Sequence, residues 1–167
     1  MTNDVLSVNK AAVLAHFSAL QSGDFSVLPI VHAESGRNHA QSPFDTSNWA
    51  PEGVPFGPDE VQGTFEWLRR GMPDLTVEVE ALVAEDDQVI AWVRMTGTQS
   101  GLDGPAPATG TRVDFRHAHR FGLEDGRVVG HSAVREDLRA LIQSGVITPQ
   151  LDPLDHLCAV ALAAAEV

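Results

Sequence analysis

The stretch VDFRHAHRFGLEDGRVVGHSAVRED, Val113 to Asp137, decides how this chain folds. Val113, Phe115, His117, His119 and Phe121 occupy every second position. Arg112, Asp114, Arg116 and Arg120 fill the positions between, with Ala118 among them. Successive strand side chains point to opposite faces, so Thr111 to Leu123 reads as a strand with one apolar face. Glu124-Asp125-Gly126 then reads as a hairpin turn of the Asp-Gly kind, and Arg127 to Val134 as the returning strand. Glu136 to Gln143 suits a helix that stops at Gly145.

Upstream, the same period of two continues. Leu75, Val77, Val79, Ala81 and Val83 alternate with Thr76, Glu78 and Glu80, which predicts a strand with those five on one face. Glu85-Asp86-Asp87 makes a turn, and Val89 to Thr98 a second strand. The loop GTQSGLDGPAPATG joins it to the Thr111 strand.

Before Leu75 the period is helical. Gly57-Pro58-Asp59-Glu60 places proline in a first helical turn, with acids at the positive end of the helix dipole. Val61, Phe65, Leu68 and Met72 form one stripe, which Arg69, Arg70, Gly71 and Pro73 close. Asn9 to Leu20 reads as another helix, with Val13, Phe17 and Leu20 in register. Gly23 stops it, and Asp24 is placed to cap a short helix over Phe25 to Ile30. His32 to Phe56, rich in Gly, Pro, Ser and Asn, reads as a long loop with room for a short strand. It carries His39, Phe44 and Trp49 and suits a lid or pocket wall. Helices followed by a strand meander predict an α+β fold with helices on one face of a curved antiparallel sheet. Residues 1–148 read as one domain, and 149–167 as a tail whose Leu, Val and Ala suit a short helix.

Composition narrows the function. The chain has 167 residues, 43% of them hydrophobic and 20% charged, which suits a single domain with a real core rather than a disordered segment. Its formal net charge of -12, from 11 Lys+Arg against 23 Asp+Glu, repels phosphate backbones and anionic lipid, so neither nucleic acid nor membrane is an expected partner. The single cysteine, Cys158, can form no internal disulfide. The polar start MTNDVLSVNK lacks a secretory core, and no apolar run approaches about 18 residues, so the expectation is a soluble, cytoplasmic protein.

The histidines carry the chemistry. His117 and His119 sit in a row of apolar side chains that covering helices would bury. Burial disfavours the imidazolium and a neighbouring carboxylate restores it, so such residues serve as general acids or bases. They also serve as hydrogen-bonded core residues. A third reading is a metal site: the H-x-H pair, Glu124 and His131 resemble the first cupin motif, which implies iron, manganese or zinc. Glu124 lies in the turn, no second cupin motif follows, and the two strong helices do not suit a β-sandwich. The expectation is therefore no metal. There is no Gly-rich phosphate loop and no G-x-S-x-G turn.

The run GMPDLTVEVEALVAEDDQVIAWVRMTGTQSG, followed by PATGTRVDFRHAHRFGLEDGRVVGH, resembles the SnoaL-like polyketide cyclase family. That family belongs to the nuclear-transport-factor-2-like superfamily, with ketosteroid isomerase and scytalone dehydratase. The marks are P-D-L, T-G-T, P-A-T-G and E-D-G-R-V-V-x-H, from about Met72 to Gly145, with the helix order and Asn38-His39 extending them toward residue 10.

The resemblance implies a cone-shaped α+β domain whose bent sheet wraps a deep apolar pocket, and a homodimer formed through the sheet's outer face. It implies an enzyme of secondary metabolism that works without a cofactor, moving protons on an apolar carbonyl substrate as a cyclase, isomerase, dehydratase or hydrolase. A pocket histidine of the cyclases matches His119. Their acid/base aspartate, in an H-W-D run, falls on Ala133 of His131-Ser132-Ala133. The expected catalytic residues are His119, His131 and His117. The expected substrate-binding residues are His39, Trp49, Phe65, Trp67, Phe115, Arg135 and Asp137. Arg135 and Asp137 equally suit a salt bridge at a helix start. With the aspartate position taken by alanine, a non-catalytic small-molecule binder or accessory protein is the alternative.

Overall fold

The computed structural model describes residues 3–39, 52–100 and 107–148. Trp49, Phe44, Cys158, the middle of the Gly/Pro loop and the 149–167 tail lie outside the described residues. The described elements run α1 (Asn3–Ser22), α2 (Leu28–Val31), β1 (His32–Asn38), β2 (Val54–Pro55), α3 (Pro58–Gly71), β3 (Thr76–Glu85), β4 (Gln88–Thr98), β5 (Arg112–Glu124), β6 (Arg127–Arg135) and α4 (Asp137–Gln143). The strands form one curved sheet in the order β2-β1-β6-β5-β4-β3, and α1 packs across its concave face. This is the α+β architecture that the sequence pattern predicts. No described helix is long and apolar enough to cross a membrane.

The β5–β6 hairpin turns as read. Asp125 and Gly126 both have positive φ, 48° and 74°, the conformation a two-residue turn between twisted strands requires. Along β5 the alternation holds from end to end, so Val113, Phe115, His117, His119, Phe121 and Leu123 are all buried. On β4, Val89, Ala91, Val93 and Met95 extend the same apolar face. The stripe of α1 covers it: Asn9, Ala12, Val13, His16, Phe17 and Leu20 are buried at helical spacing.

The helices hold one another at their ends. Arg69 Nη1 of α3 donates to the Leu20 and Gln21 carbonyls, each at 2.9 Å, placing a cation at the negative end of α1. Gly23, φ 76°, turns the chain there, and a Cβ on it would meet the Arg69 guanidinium at 3.2 Å. Asp74 accepts from Thr98 N at 2.7 Å and from Thr98 Oγ1 at 2.8 Å. Gly97 leaves room for Met72, whose Cβ a side chain would meet at 3.2 Å. The P-D-L and T-G-T runs are thus one structural joint between the entry to β3 and the end of β4.

Four expectations are corrected, and the short strand that the His32 loop had room for is present. α1 starts at Asn3, six residues before Asn9, because Asp4 favours its first turn and nothing before Gly23 breaks it. Asp24 does not cap a helix at Phe25; it accepts from Ser26 N at 3.0 Å in a tight turn, and α2 begins only at Leu28, with Pro29 in its first turn. The loop from His32 holds the seven-residue β1, whose buried positions are His32 and Gly36 rather than apolar side chains, so no periodicity announced it. β1 also pairs in parallel with β6, which makes the sheet mixed rather than a pure meander.

The last correction concerns β3. Val79 pairs with Val93, but Ala81 pairs with Trp92, so a bulge at Glu80 reverses the alternation. Val83 is 62% exposed, while Leu82 and Ala84 turn to the core. Leu82→Ala is therefore expected to cost at least about 1 kcal/mol, and Val83→Ala to stay within about 0.5 kcal/mol. Urea denaturation of the two variants checks this; the reverse order contradicts the bulge.

Candidate functional site

Between the concave sheet face and the helices lies a cavity of about 390 Å³. Its wall is mainly apolar: Phe56, Phe65, Leu68, Met95 and Phe115 line it, with Phe17 and Leu20 from α1. Into this apolar space the fold brings four histidines: His117 and His119 from β5, His131 from β6 and His16 from α1. A fifth, His32, is fully buried behind them.

Strand register explains the grouping. His119 lies opposite Ala133, Phe121 opposite His131, and His117 opposite Arg135. Residues 131, 133 and 135 therefore share the cavity face with 117, 119 and 121. A shift of pairing between Gly122 and Leu123 sets this phase in β6.

The rings make a directed chain. His131 Nδ1 meets Asn38 Oδ1 at 2.9 Å, and His119 Nδ1 meets His131 Nε2 at 2.9 Å. An amide oxygen only accepts, so His131 carries its proton on Nδ1. In the neutral ring its Nε2 is then bare and accepts from His119 Nδ1–H. That leaves His119 Nε2 as a bare lone pair. It is buried and has no hydrogen-bond partner, on a residue that lines the cavity. Phe56 stacks on His131 with centroids 4.7 Å apart and fixes its ring plane.

Burial holds the rings neutral. It pushes the His131 imidazole down to about 3, helped by repulsion from the other histidines and Arg135. It pushes His117 down to about 4, against a partly offsetting attraction from Asp137. It depresses His119 well below the ordinary range, with His131 and His117 adding to the effect. His32 falls to about 4 for the same reason, and His16 falls well below its ordinary value. Among the described residues no carboxylate is hydrogen-bonded to any of the five rings.

Of the other expected residues, Phe65, Trp67, Phe115, Arg135 and Asp137 line the cavity. Arg135 Nε also bridges Asp137 Oδ2 at 2.9 Å, a salt bridge at the start of α4. His39 is exposed and is not among the residues that line the cavity. Its backbone N–H donates to the His131 carbonyl at 2.7 Å, extending β1 along β6. Glu124, required by the cupin-like reading, is exposed at the hairpin and points to the face opposite the histidines. Among the described residues no group of three or more His, Cys, Asp or Glu is placed to hold a metal ion.

The sequence reading did not single out His16, His32, Asn38 or Gln99. His16 was within reach, because it falls three residues after Val13 and four before Leu20, on the stripe of α1. His32 and Asn38 lie on the strand that carries no apolar pattern. Gln99 is buried at the cavity with its Oε1 unpaired, and its place beyond the end of β4 gave no periodic signal.

The SnoaL-like polyketide cyclase family model matches residues 10–144. The chain belongs to this family. Its solved structural relatives share the fold. A candidate SnoaL-like polyketide cyclase from Jannaschia sp. CCS1 is 25% identical, with 89% of this chain and 99% of that one covered and a TM-score of 0.72. AclR from Streptomyces galilaeus, a candidate hydroxylase, is 22% identical over 96% of each chain, also with a TM-score of 0.72. IdmH from Streptomyces antibioticus, a candidate polyketide cyclase, is 23% identical, covers 82% of this chain and 98% of its own, and has a TM-score of 0.69. No curated protein matches the chain. In this SnoaL-like protein, Ala133 lines the cavity directly across from His119.

The neutral rings set the acid limit of the fold. Each of the five buried histidines has a folded pKa below its unfolded value of about 6.5, so the unfolded chain binds more protons as pH falls and stability falls with it. The loss begins near the unfolded value and is complete only below the folded ones. His32, His117 and His131 each cost roughly 2 kcal/mol by about pH 5, a large part of a domain's usual margin of about 5–15 kcal/mol. Urea midpoints are therefore expected to drop steeply from neutral pH to about pH 5. An unchanged midpoint over that range contradicts burial of neutral histidines.

Proposed function

We propose that this SnoaL-like protein is an acid–base enzyme that abstracts a proton α to a carbonyl of an apolar, ring-bearing substrate. His119 is the base. The observation that carries the reading is the buried, unpaired Nε2 of His119, a residue of the apolar cavity's wall, held bare by the Asn38–His131 chain. His131 is a positioning residue in this scheme, and His117, whose Nε2 is also buried and unpaired, lines the path beside it.

The energetics fit a reaction that creates charge inside the cavity. An empty apolar cavity opposes an isolated imidazolium. Proton transfer from substrate carbon to His119 Nε2 creates an imidazolium and an enolate together, and each stabilises the other in the low-dielectric space. The base is regenerated when the proton returns to the same carbon or to a neighbouring one. A cavity of about 390 Å³ suits a molecule of two or three rings. Gln99 Oε1 favours a substrate with a hydroxyl or N–H at that end. The proton transfer needs no cofactor, because His119 itself takes the proton.

The test uses β-tetralone, a two-ring ketone, in deuterium oxide. The protein is expected to accelerate deuterium entry at the α carbon, read by NMR. His119→Gln, which keeps the fold and an amide in place of the ring, is expected to lose roughly 100-fold or more. Binding of β-tetralone with no acceleration contradicts the enzyme reading and favours the second one, a small-molecule binder. Ala133 supports that second reading, since it leaves the cavity without the carboxylate the resemblance implies there.

We also propose a homodimer through the outer sheet face. Ala81, Trp92, Ala118 and Val134 lie side by side across β3, β4, β5 and β6 and form an apolar row. Trp92 is 42% and Val134 78% exposed. The ion pairs Arg94–Asp114 and Arg116–Glu80 flank the row. Light scattering is expected to give a dimer that Trp92→Glu converts to a monomer. A monomeric wild type contradicts the interface.

A further inference from the structure

The base mechanism leaves a second charge to hold, the enolate oxygen, and it leaves two buried histidines unused. His16 and His32 form a second dyad. His16 Nδ1 meets His32 Nε2 at 2.9 Å, the same pair of ring atoms that join His119 to His131. His16 comes from the helix and His119 from the sheet, and both line the cavity. Both rings pack on the same two phenylalanines: His16 lies 4.9 Å from Phe17 and 5.1 Å from Phe121, and His119 lies 5.2 and 6.0 Å from them, centroid to centroid. Two rings so placed can engage neighbouring atoms of one ligand.

The far end of each dyad differs. His131 ends on Asn38 Oδ1, which demands a proton on His131 Nδ1. His32 Nδ1 ends on nothing: it is buried and unpaired. Either tautomer leaves one N–H of the dyad without a protein acceptor; at His32 Nδ1 it would be sealed in the core, whereas His16 belongs to the cavity wall, where a ligand can accept it, so His32 Nδ1 is the bare nitrogen. The neutral ring then carries its proton on Nε2 and donates it to His16 Nδ1. That fixes the proton of His16 on Nε2, for which no group among the described residues serves as acceptor.

We infer that His16 is the hydrogen-bond donor that holds the substrate's carbonyl oxygen, with His32 setting its tautomer, so that the helix wall presents an N–H and the sheet wall a lone pair. This deepens the proposed base reaction and rests on it. The balance is simple. The α C–H bond breaks, its proton forms the Nε2–H bond of His119, and its electron pair delocalises onto the carbonyl oxygen. His16 keeps its proton and strengthens its hydrogen bond as that oxygen becomes negative. Neutral imidazole suits this role, because burial disfavours a standing imidazolium.

Two measurements on the full chain test the inference separately from the base reading. Imidazole nitrogen NMR of the isotope-labelled protein, without ligand, is expected to show His16 protonated on Nε2 and His119 on Nδ1. His16 protonated on Nδ1 overturns the inference whatever the activity. In the β-tetralone exchange assay, His16→Phe is expected to lower kcat about 100-fold with KM changed little, and His16→Gln, which restores an N–H donor, to recover part of it. Equal rates in His16→Phe and wild type also overturn it. Should the wild type show no exchange while His16 is protonated on Nε2, the base reading fails and the donor assignment stands; β-naphthol, whose oxygen imitates the enolate's, must then bind more weakly to His16→Phe, and unchanged binding overturns the donor role.

Discussion

Everything in this molecule turns on keeping uncharged histidines inside an apolar shell. A buried imidazole far from carboxylates has one accessible charge state, and neutrality makes its two nitrogens unlike: one donates and the other accepts. Once rings are joined nitrogen to nitrogen, the polarity of the first link fixes that of the next. Asn38 therefore decides what His119 offers to the cavity although it stands two links away. The chemistry is a consequence of hydrogen-bond bookkeeping as much as of residue type.

The scaffold serves that arrangement. The unbroken alternation of β5 puts Phe115, His117, His119 and Phe121 on one face, and the register with β6 brings His131 and Ala133 beside them. The α1 stripe closes the space from above and supplies His16. The runs that carry the family resemblance mostly do mechanical work: Asp74 ties Thr98, Gly97 admits Met72, and Asp125-Gly126 turns the hairpin. They announce the fold and its cavity while leaving the chemistry to other side chains.

The sequence was legible where one periodicity ran uninterrupted. The helical stripe of Val61, Phe65 and Met72 and the strands from Leu75 to Val134 could be read directly, and so could the inward face of His117, His119 and His131. It was illegible where polar residues do the packing. β1 buries a histidine and a glycine, so its pairing with β6 left no hydrophobic trace, and Asn38 and His32 stayed hidden with it. The bulge at Glu80 was equally invisible, because apolar residues sit on both sides of the phase change and either register looks reasonable. Tautomers and dyads are properties of contacts between distant segments, and no local pattern encodes them.

The most direct test of the central claim is an NMR titration of the His119 ring, with and without β-naphthol. The account predicts a ring that stays neutral throughout the neutral range in the free protein and becomes an imidazolium when the ligand binds as its oxyanion. An imidazolium already present at neutral pH in the free protein would contradict it.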